Sequence, residues 1–480
     1  MTSISPDQKL QEKTSIVEVF ESQKKHSGKL REEKVEDRIR KLKKIKSWIH
    51  ENRIAIQEAI YKDFQKPAEE VDITETFVVL TEVNHALKNL KKWMRPVKVS
   101  TPINFLGTKS FIQYEPKGVA LIISPWNFPF NLCLGPLVSA IAAGNTVILK
   151  PSEMTPHTSQ LIDGMVRQLF HTSEVAIFLG DMEVSQDLLR LPFDHIFFTG
   201  SPSVGKVVMR AAAENLSSIT LELGGKSPLI IDESAGIKDA AEKIAWSKFL
   251  NSGQTCIAPD YLMVPEKILD PLVQEIRAAL TRLYDPLEEG MDHSPYLARI
   301  VNRYHFDRVC RLLDDTLQEG GKVVIGGKVN REENFIEPTV LTDLPNESEM
   351  LEEEIFGPLL PIITYKTTQE VVDFINGKPK PLALYIFSRN KKIVNFYLKN
   401  ISSGTSCIND AVLHFLHINL PFGGVNNSGI GKSHGYYGFL AFSNEKSVLK
   451  QRIGFTFLKT LYPPYSAFTK KLINLMLKYF

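Results

Sequence analysis

The stretch Asp194–Glu214, DHIFFTGSPSVGKVVMRAAAE, joins an apolar run to a helix-forming run through a turn of small residues. His195–Thr199 has the length of a buried strand, and the residues from Ser203 onward read as a helix. With a strand ending at Gly200 and a helix opening near Ser203, free backbone N–H groups aim at an anion, normally phosphate. Two nucleotide readings compete. Gly200–Lys206 matches G-x-x-x-x-G-K, but Val207 cannot supply the hydroxyl that such a loop uses on Mg²⁺. In the dinucleotide pattern G-x-G-x-x-G, Pro202 stands at the second glycine. Neither standard motif fits, and a plain strand–helix turn stays open.

The same alternation extends both ways. YEPKGVALIIS (114–124) and NTVILKPS (145–152) read as buried strands, and LGPLVSAIAAG (134–144) as a small-residue helix that packs closely on a sheet. After LELGGKSPLIIDE (221–233) the alternation resumes with SPLIID, the helix AGIKDAAEKIAWSKFLN and the strand DYLMV. Strand and helix in turn imply an α/β fold with parallel, buried strands. The Pro/Gly-rich joint at Leu223–Pro228 is the best domain boundary. Upstream, Ile16–Phe64 is helical and charged, with Val35, Ile39, Leu42, Ile45, Trp48 and Ile49 at helical intervals, and Glu69–Met94 reads as a second amphipathic helix.

A chain of 480 residues is too long for one ordinary core. A net charge of +2 argues against a general nucleic-acid binder. Cys133, Cys256, Cys310 and Cys407 are scattered, without a CxxC or a His-rich cluster. That pattern excludes a disulfide framework and a structural metal site, and fits a reducing, cytoplasmic compartment. The N-terminus has no signal-peptide pattern, and no run approaches the roughly 20 apolar residues that span a bilayer.

Three residues stand out for chemistry. Prolines flank Trp126–Asn127 in ISPWNFPF (123–130), which stiffens a loop at a strand end, where open α/β sheets place their sites. A fixed Asn127 amide can donate to an oxyanion, or it can merely bond its own turn. Glu222 lies between Leu221 and Leu223. Partial desolvation would lift its pKa towards general-base range, unless it pairs with Lys226. Cys256, in NSGQTCIAP (251–259), has Gly253, Gln254 and Thr255 beside it, poor core formers that point to an exposed, reactive thiol rather than a packing residue.

PWNFP, FTGSPSVGK, LELGGKSP, GQTCIAPD, EEIFGP and LPFGGVNNSGIG occur in the order and spacing of the NAD(P)-dependent aldehyde dehydrogenase superfamily, which the chain resembles from roughly Leu30 to Lys450. GQTCIAPDY is similar to the class 3 branch, which includes fatty aldehyde dehydrogenases. The resemblance implies a Rossmann-like cofactor domain (1–99 and 116–222), an α/β catalytic domain (223–435), β bridging and oligomerisation segments (100–115 and 436–455) and a C-terminal tail (456–480). It implies Cys256 as nucleophile, Asn127 with the Cys256 N–H as oxyanion donors, and Glu222 as the base that hydrolyses a thioester. Lys150, Glu153, Gly200, Ser201, Gly205, Glu354 and Phe356 match cofactor positions, and no metal is implied. A carboxylate at Glu153 repels a 2′-phosphate and so favours NAD, although class 3 members often accept NADP as well. Asn426 departs from the family's glycine, and Asn tolerates the left-handed backbone that glycine would supply.

The implied activity is oxidation of an aldehyde, medium- to long-chain aliphatic or aromatic, to its acid, by a homodimer. A thiol esterase and an idle structural protein on the same fold are the competing functions. Retention of nucleophile, base, oxyanion donor and cofactor motifs argues against both. From Ser466 the tail fits an amphipathic helix, with Phe468, Leu472, Leu475, Met476 and Tyr479 on one face and Lys470, Lys471 and Lys478 nearer the other. It reads either as a helix docked on the protein's own surface or as a membrane-surface contact or substrate lid.

Overall fold

The computed structural model describes residues 6–479 apart from 103, 104, 106, 346 and 455. Those five positions, with 1–5 and 480, put small parts of the predicted segments 1–99, 100–115, 223–435, 436–455 and 456–480 outside the described residues. A six-stranded sheet forms first. Its core order is β7 (Ser218–Leu223), β6 (His195–Gly200), β3 (Val119–Ile123), β4 (Thr146–Lys150) and β5 (Val175–Ile177), all parallel. The apolar runs are continuous because both faces are covered. Ala120, Ile122, Val147 and Leu149 meet helices Val35–Glu51, Phe77–Trp93 and Asn131–Ala143 on one side. Val119, Leu121, Ile148, Ile196 and Phe198 face Phe20 and helix Pro202–Glu214 on the other.

Chain order runs from β3 outward to β5, then crosses back to β6 and β7 on the far side of β3. The crevice between β3 and β6 is therefore a topological switch point, where such sheets bind ligands.

Past the joint at Gly224–Ser227, a seven-stranded sheet has the order β10 (Lys322–Ile325), β13 (Thr339–Thr342), β14 (Leu359–Tyr365), β9 (Tyr261–Pro265), β8 (Pro228–Ile231), β15 (Ala383–Phe387) and β16 (Thr405–Ile408). Only β10 is antiparallel within it. A short ladder pairs β11 (Val329–Asn330) with β12 (Phe335–Ile336). The chain later returns to the first sheet, so the 223–435 segment is not confined to the second. β17 (Gly429–Ile430) pairs antiparallel with β7, Gly429 opposite Glu222. Gly424 permits this close return, since a Cβ there would meet the Ser428 carbonyl oxygen at 1.9 Å. Asn426 in the same turn adopts φ +56°, the left-handed backbone that Asn tolerates better than most residues.

β1 (Val97–Lys98), β2 (Lys109–Pro116) and β18 (Ser443–Lys450) form a third, antiparallel sheet, with β18 paired along the whole of β2. The helix predicted over Glu69–Met94 is interrupted by a π turn at Asp72–Thr76. Such turns re-aim side chains and recur at functional sites.

The tail helix forms at Ala467–Tyr479. The predicted apolar face is not a docking face: Phe468, Leu475 and Tyr479 are exposed, and Leu472 and Met476 only half-buried. The helix is held instead through Thr469, whose hydroxyl donates to the Thr460 carbonyl at 3.1 Å. Among the described residues no helix is long and apolar enough to cross a membrane.

Candidate active site

Four adjacent strands deliver their C-terminal ends side by side. Glu222 is the penultimate residue of β7, Gly200 ends β6, the Trp126–Asn127 loop follows β3 and Lys150 ends β4. Register keeps them level, with Thr199 opposite Glu222 and Ile123 opposite Lys150.

Cys256 reaches this edge on a loop with an unusual backbone. Asn251, Ser252 and Gly253 have φ of 52°, 51° and 73° in succession, conformations that cost free energy and that a surrounding structure must impose. The restraints are visible. Asn251 Nδ2 donates to the Asn127 and Gln254 carbonyls at 2.8 and 3.1 Å. The Gln254 amide bonds Asn251 O, Arg299 O and Val301 N–H at 2.9–3.0 Å. A Cβ at Gly253 would lie 2.2 Å from the Gly357 oxygen. This corrects the expectation of exposure: Asn251 and Gln254 are wholly buried, because their side chains satisfy loop backbone that lies outside any ladder. Cys256 itself is partly buried, and all four cysteines are free.

Asn127 does not bond its own turn. Its amide nitrogen donates to the Gln254 carbonyl at 3.1 Å, two residues before Cys256. An amide nitrogen carries two hydrogens, so this bond aims Asn127 at the cysteine loop and accounts for only one of them. Behind it lies a fully buried ion pair. Lys66 Nζ donates to Glu75 at 3.0 Å and to the Asn127 carbonyl at 3.3 Å, and sits over the Phe128 ring. Glu75 lies in the π turn, and its other oxygen accepts the Asn131 N–H at 2.8 Å.

Glu222 does not pair with Lys226, which bonds Asp260 and the Met350 and Glu353 carbonyls. One Glu222 oxygen accepts the Ser433 hydroxyl at 2.7 Å, and the other is buried without a partner. Burial, against weaker opposition from Ser433 and Lys432, pushes its pKa up to about 8. Glu354 lies across Gly224, where a Cβ would strike its carboxylate at 2.0 Å. Burial, then Asp260, lifts it to about 8 as well. Burial foremost, then Glu354 and Glu222, raises the Cys256 thiol, while the Cys256 and Ile257 N–H groups favour the thiolate.

The cofactor candidates divide between the edges of the switch-point crevice. Lys150 is buried, with its amine on Glu153 at 3.3 Å and the Pro151 carbonyl at 3.0 Å, while Glu153 is exposed. Gly200 and Gly205 are close contacts: a Cβ would meet the Phe198 ring at 2.5 Å and Leu223 at 2.7 Å respectively. Ser201 caps the helix that opens there. Phe356 stands edge-on to Trp126 at 5.3 Å. A small strand end, a helix N-terminus, a cation and two carboxylates suit a dinucleotide.

Two cavities meet at Cys256. One is walled by Ile73, Val78, Phe128, Trp246, Val412 and Phe415. The other holds Glu222, Ser433, His434 and Glu82. Sequence reasoning missed these walls and the Lys66–Glu75 pair, since they come from six distant segments with no shared motif. Among the described residues no cluster of His, Cys, Asp and Glu could hold a metal.

Comparison with known proteins agrees with this geometry. The model of the aldehyde dehydrogenase family matches residues 7–448. The chain is 43% identical over 412 residues to the 4,4'-diaponeurosporen-aldehyde dehydrogenase of Staphylococcus aureus, covering 86% of this chain and 88% of that one. It is 42% identical over 440 residues to mouse aldehyde dehydrogenase family 3 member B2, covering 92% and 90%. The solved substrate-bound state of Staphylococcus aureus AldH superimposes with a TM-score of 0.92 at 40% identity, over 96% of this chain and 99% of that one. With the family model spanning nearly the whole described chain and class 3 members among its relatives, this protein belongs to the aldehyde dehydrogenase family.

Proposed function

We propose that the chain oxidises medium- to long-chain aliphatic aldehydes to carboxylic acids, with Cys256 as nucleophile, Asn127 and the Cys256 N–H as oxyanion donors and Glu222 as hydrolytic base. The observation that carries this is the position of Cys256, at once the floor of an almost wholly apolar cleft and a wall of the cavity holding Glu222. An apolar cleft takes an alkyl chain, and apart from the sulfur its only polar lining residues are Thr74, Asn131 and Thr255. As the thiol adds to the carbonyl, its proton passes to a nearby carboxylate and the free Asn127 N–H meets the developing oxyanion. A nicotinamide held there would supply the hydride acceptor, leaving a thioester on Cys256. Glu222 then takes a proton from the water that releases the acid.

Lys150, Glu153, Gly200, Ser201, Gly205, Glu354 and Phe356 would hold NAD, and NADP less well because the Glu153 carboxylate would repel a 2′-phosphate. Relatives in the fold include an NAD⁺ complex from Bacillus cereus and an NADP⁺-bound succinic semialdehyde dehydrogenase from Streptococcus pyogenes. Gly224→Ala is expected to push Glu354 aside, because its Cβ would overlap that carboxylate. NAD affinity, read by quenching of protein fluorescence, should fall about tenfold, the loss of one hydrogen-bonded contact. Unchanged affinity would remove Glu354 from the cofactor site. A series of aliphatic aldehydes from hexanal to hexadecanal with both cofactors tests the substrate assignment, and a preference for short polar aldehydes would refute it.

The tail supports a peripheral membrane role. Phe468, Leu475, Leu477 and Tyr479 are exposed beside Lys470, Lys471 and Lys478, and no acidic residue follows Glu445. Such a helix lies in the headgroup layer of an anionic bilayer. Deleting residues 466–480 should abolish sedimentation with phosphatidylglycerol vesicles and lower activity on hexadecanal more than on hexanal. No change in either measurement would exclude the lid and the membrane contact together. The free edge of β18, exposed along most of its length, supports assembly as a homodimer, which sedimentation equilibrium would test.

A further inference from the structure

We propose that Glu82, held by His434, is the outward arm of a proton relay that carries the proton collected by Glu222 to solvent past His85. The inference rests on Glu222 acting as the hydrolytic base.

Glu82 and His434 line the same cavity as Glu222 and Cys256. On the inner side, Ser433 bonds one Glu222 oxygen at 2.7 Å and leaves the other buried and unpartnered, an arrangement that calls for a polar occupant such as water. The next residue, His434, sits at φ +72°, strained for a side chain of its size. That backbone turns its ring between Phe415 and Phe422, at 4.5 and 5.2 Å, and brings Nδ1 to 3.5 Å from Glu82. Glu82 also accepts the Gly435 N–H at 3.0 Å. On the outer side a Cβ at Gly435 would touch the His85 ring at 3.2–3.3 Å, and His85 is half-exposed. The order from interior to surface is Glu222, cavity, Glu82, His85.

Structural duty alone does not account for Glu82. It is buried on a core helix, and burying a carboxyl is costly unless a cation or several donors compensate. Its facing groups are His434, His85 one turn along its own helix and, across the cavity, Glu222. Lys432 lies towards Glu222, bonded to the Gly404, Gly423 and Gly424 carbonyls. His414 lies beyond His434, and burial pushes both imidazoles down to about 4, so neither is a cation at neutral pH. Burial raises Glu82 to about 7 and Glu222 to about 8, which makes their proton affinities close enough for transfer in either direction.

The chemistry balances without an added reagent. Water oxygen bonds to the thioester carbon, its first proton goes to Glu222, and collapse breaks the C–S bond, the remaining hydroxyl proton passing to the leaving sulfur to give the carboxylate and the Cys256 thiol. The proton on Glu222 crosses water in the cavity to the Glu82 carboxylate and leaves past His85, restoring both bases.

Glu82→Gln keeps the side-chain shape and an acceptor for the Gly435 N–H, so it separates proton transfer from packing. In stopped-flow with saturating aldehyde, first-turnover NADH formation should stay within about twofold of wild type, and steady-state turnover should drop about tenfold or more. Added imidazole should restore much of that loss. His85→Gln, at a half-exposed position that does not endanger the fold, should show a smaller loss of the same kind. Equal losses in both phases, or a loss that imidazole cannot repair, would overturn the relay in favour of a structural role, and no loss at all would overturn it outright. Glu222→Gln distinguishes the two readings. If it stalls after one turnover while Glu82→Gln turns over normally, only the relay falls. If Glu222→Gln turns over normally, the assignment of the base falls as well.

Discussion

Cys256→Ala will abolish aldehyde oxidation, lowering turnover by on the order of 10⁴-fold or more, while the folded chain continues to bind NAD. The magnitude follows from the loss of every step on sulfur: without it the aldehyde stays planar, no oxyanion forms for Asn127 and the Cys256 N–H, and a bare carbonyl is a poor hydride donor. The fold should tolerate the change. The loop is held by Asn251, Ser252 and Gln254 through bonds that do not involve the sulfur, and alanine occupies less space than the thiol it replaces. Rates of NADH formation with a panel of aldehydes, beside the thermal melt of both proteins, check this. A variant that still oxidises aldehydes at a tenth of the wild-type rate would remove Cys256 from the chemistry.

Glu222→Gln is expected to form the thioester once and then stop. The first turnover of NADH should survive, because other groups can accept the thiol proton more slowly, and steady-state turnover should fall by about 10²–10⁴-fold. The same assignment sets the pH dependence. With a folded pKa of about 8, the carboxylate form gains about tenfold per pH unit below that value, so turnover should rise with pH and level off above about 8. The limb should vanish in Glu222→Gln.

Stability should respond with the opposite sign. Glu222 and Glu354 are raised from 4.5 to about 8, and Glu70 and Glu82 to about 7, chiefly by burial. Between pH 4.5 and 8 the folded chain keeps protons that the unfolded chain releases. Stability present at the acid end is therefore lost as pH rises through these values. The thermal midpoint should decline over this window, less steeply in Glu222→Gln, and a midpoint that rises through it would contradict the burial of these groups.

Much of the fold could be read from the chain. The continuous apolar runs at Val119–Ile123, Thr146–Lys150 and His195–Gly200 could be satisfied only by strands buried on both faces, and the small residues of Asn131–Ala143 only by close packing on them. The π turn at Asp72–Thr76 could not be read, because helix periodicity changes there by a single residue and Lys66, the partner of Glu75 in that turn, lies outside the helix. NSGQ misled for a related reason. Polar side chains normally mark the surface, yet Asn251 and Gln254 are wholly buried, repaying backbone that no strand or helix could satisfy.

Sequence alone singled out Cys256, Glu222 and Asn127 as the candidates for the chemistry, since each carries a reactive group beside a local motif. Tertiary structure alone decided their relation: which amide hydrogen of Asn127 is free, that Lys226 serves Asp260 rather than Glu222, and that Glu82 and His434 share a cavity with Glu222, distant from both in the chain. The reason is physical. A reactive group is specified by its own atoms and near neighbours, whereas proton affinity and access depend on burial, and burial is set by segments that meet only when the chain folds.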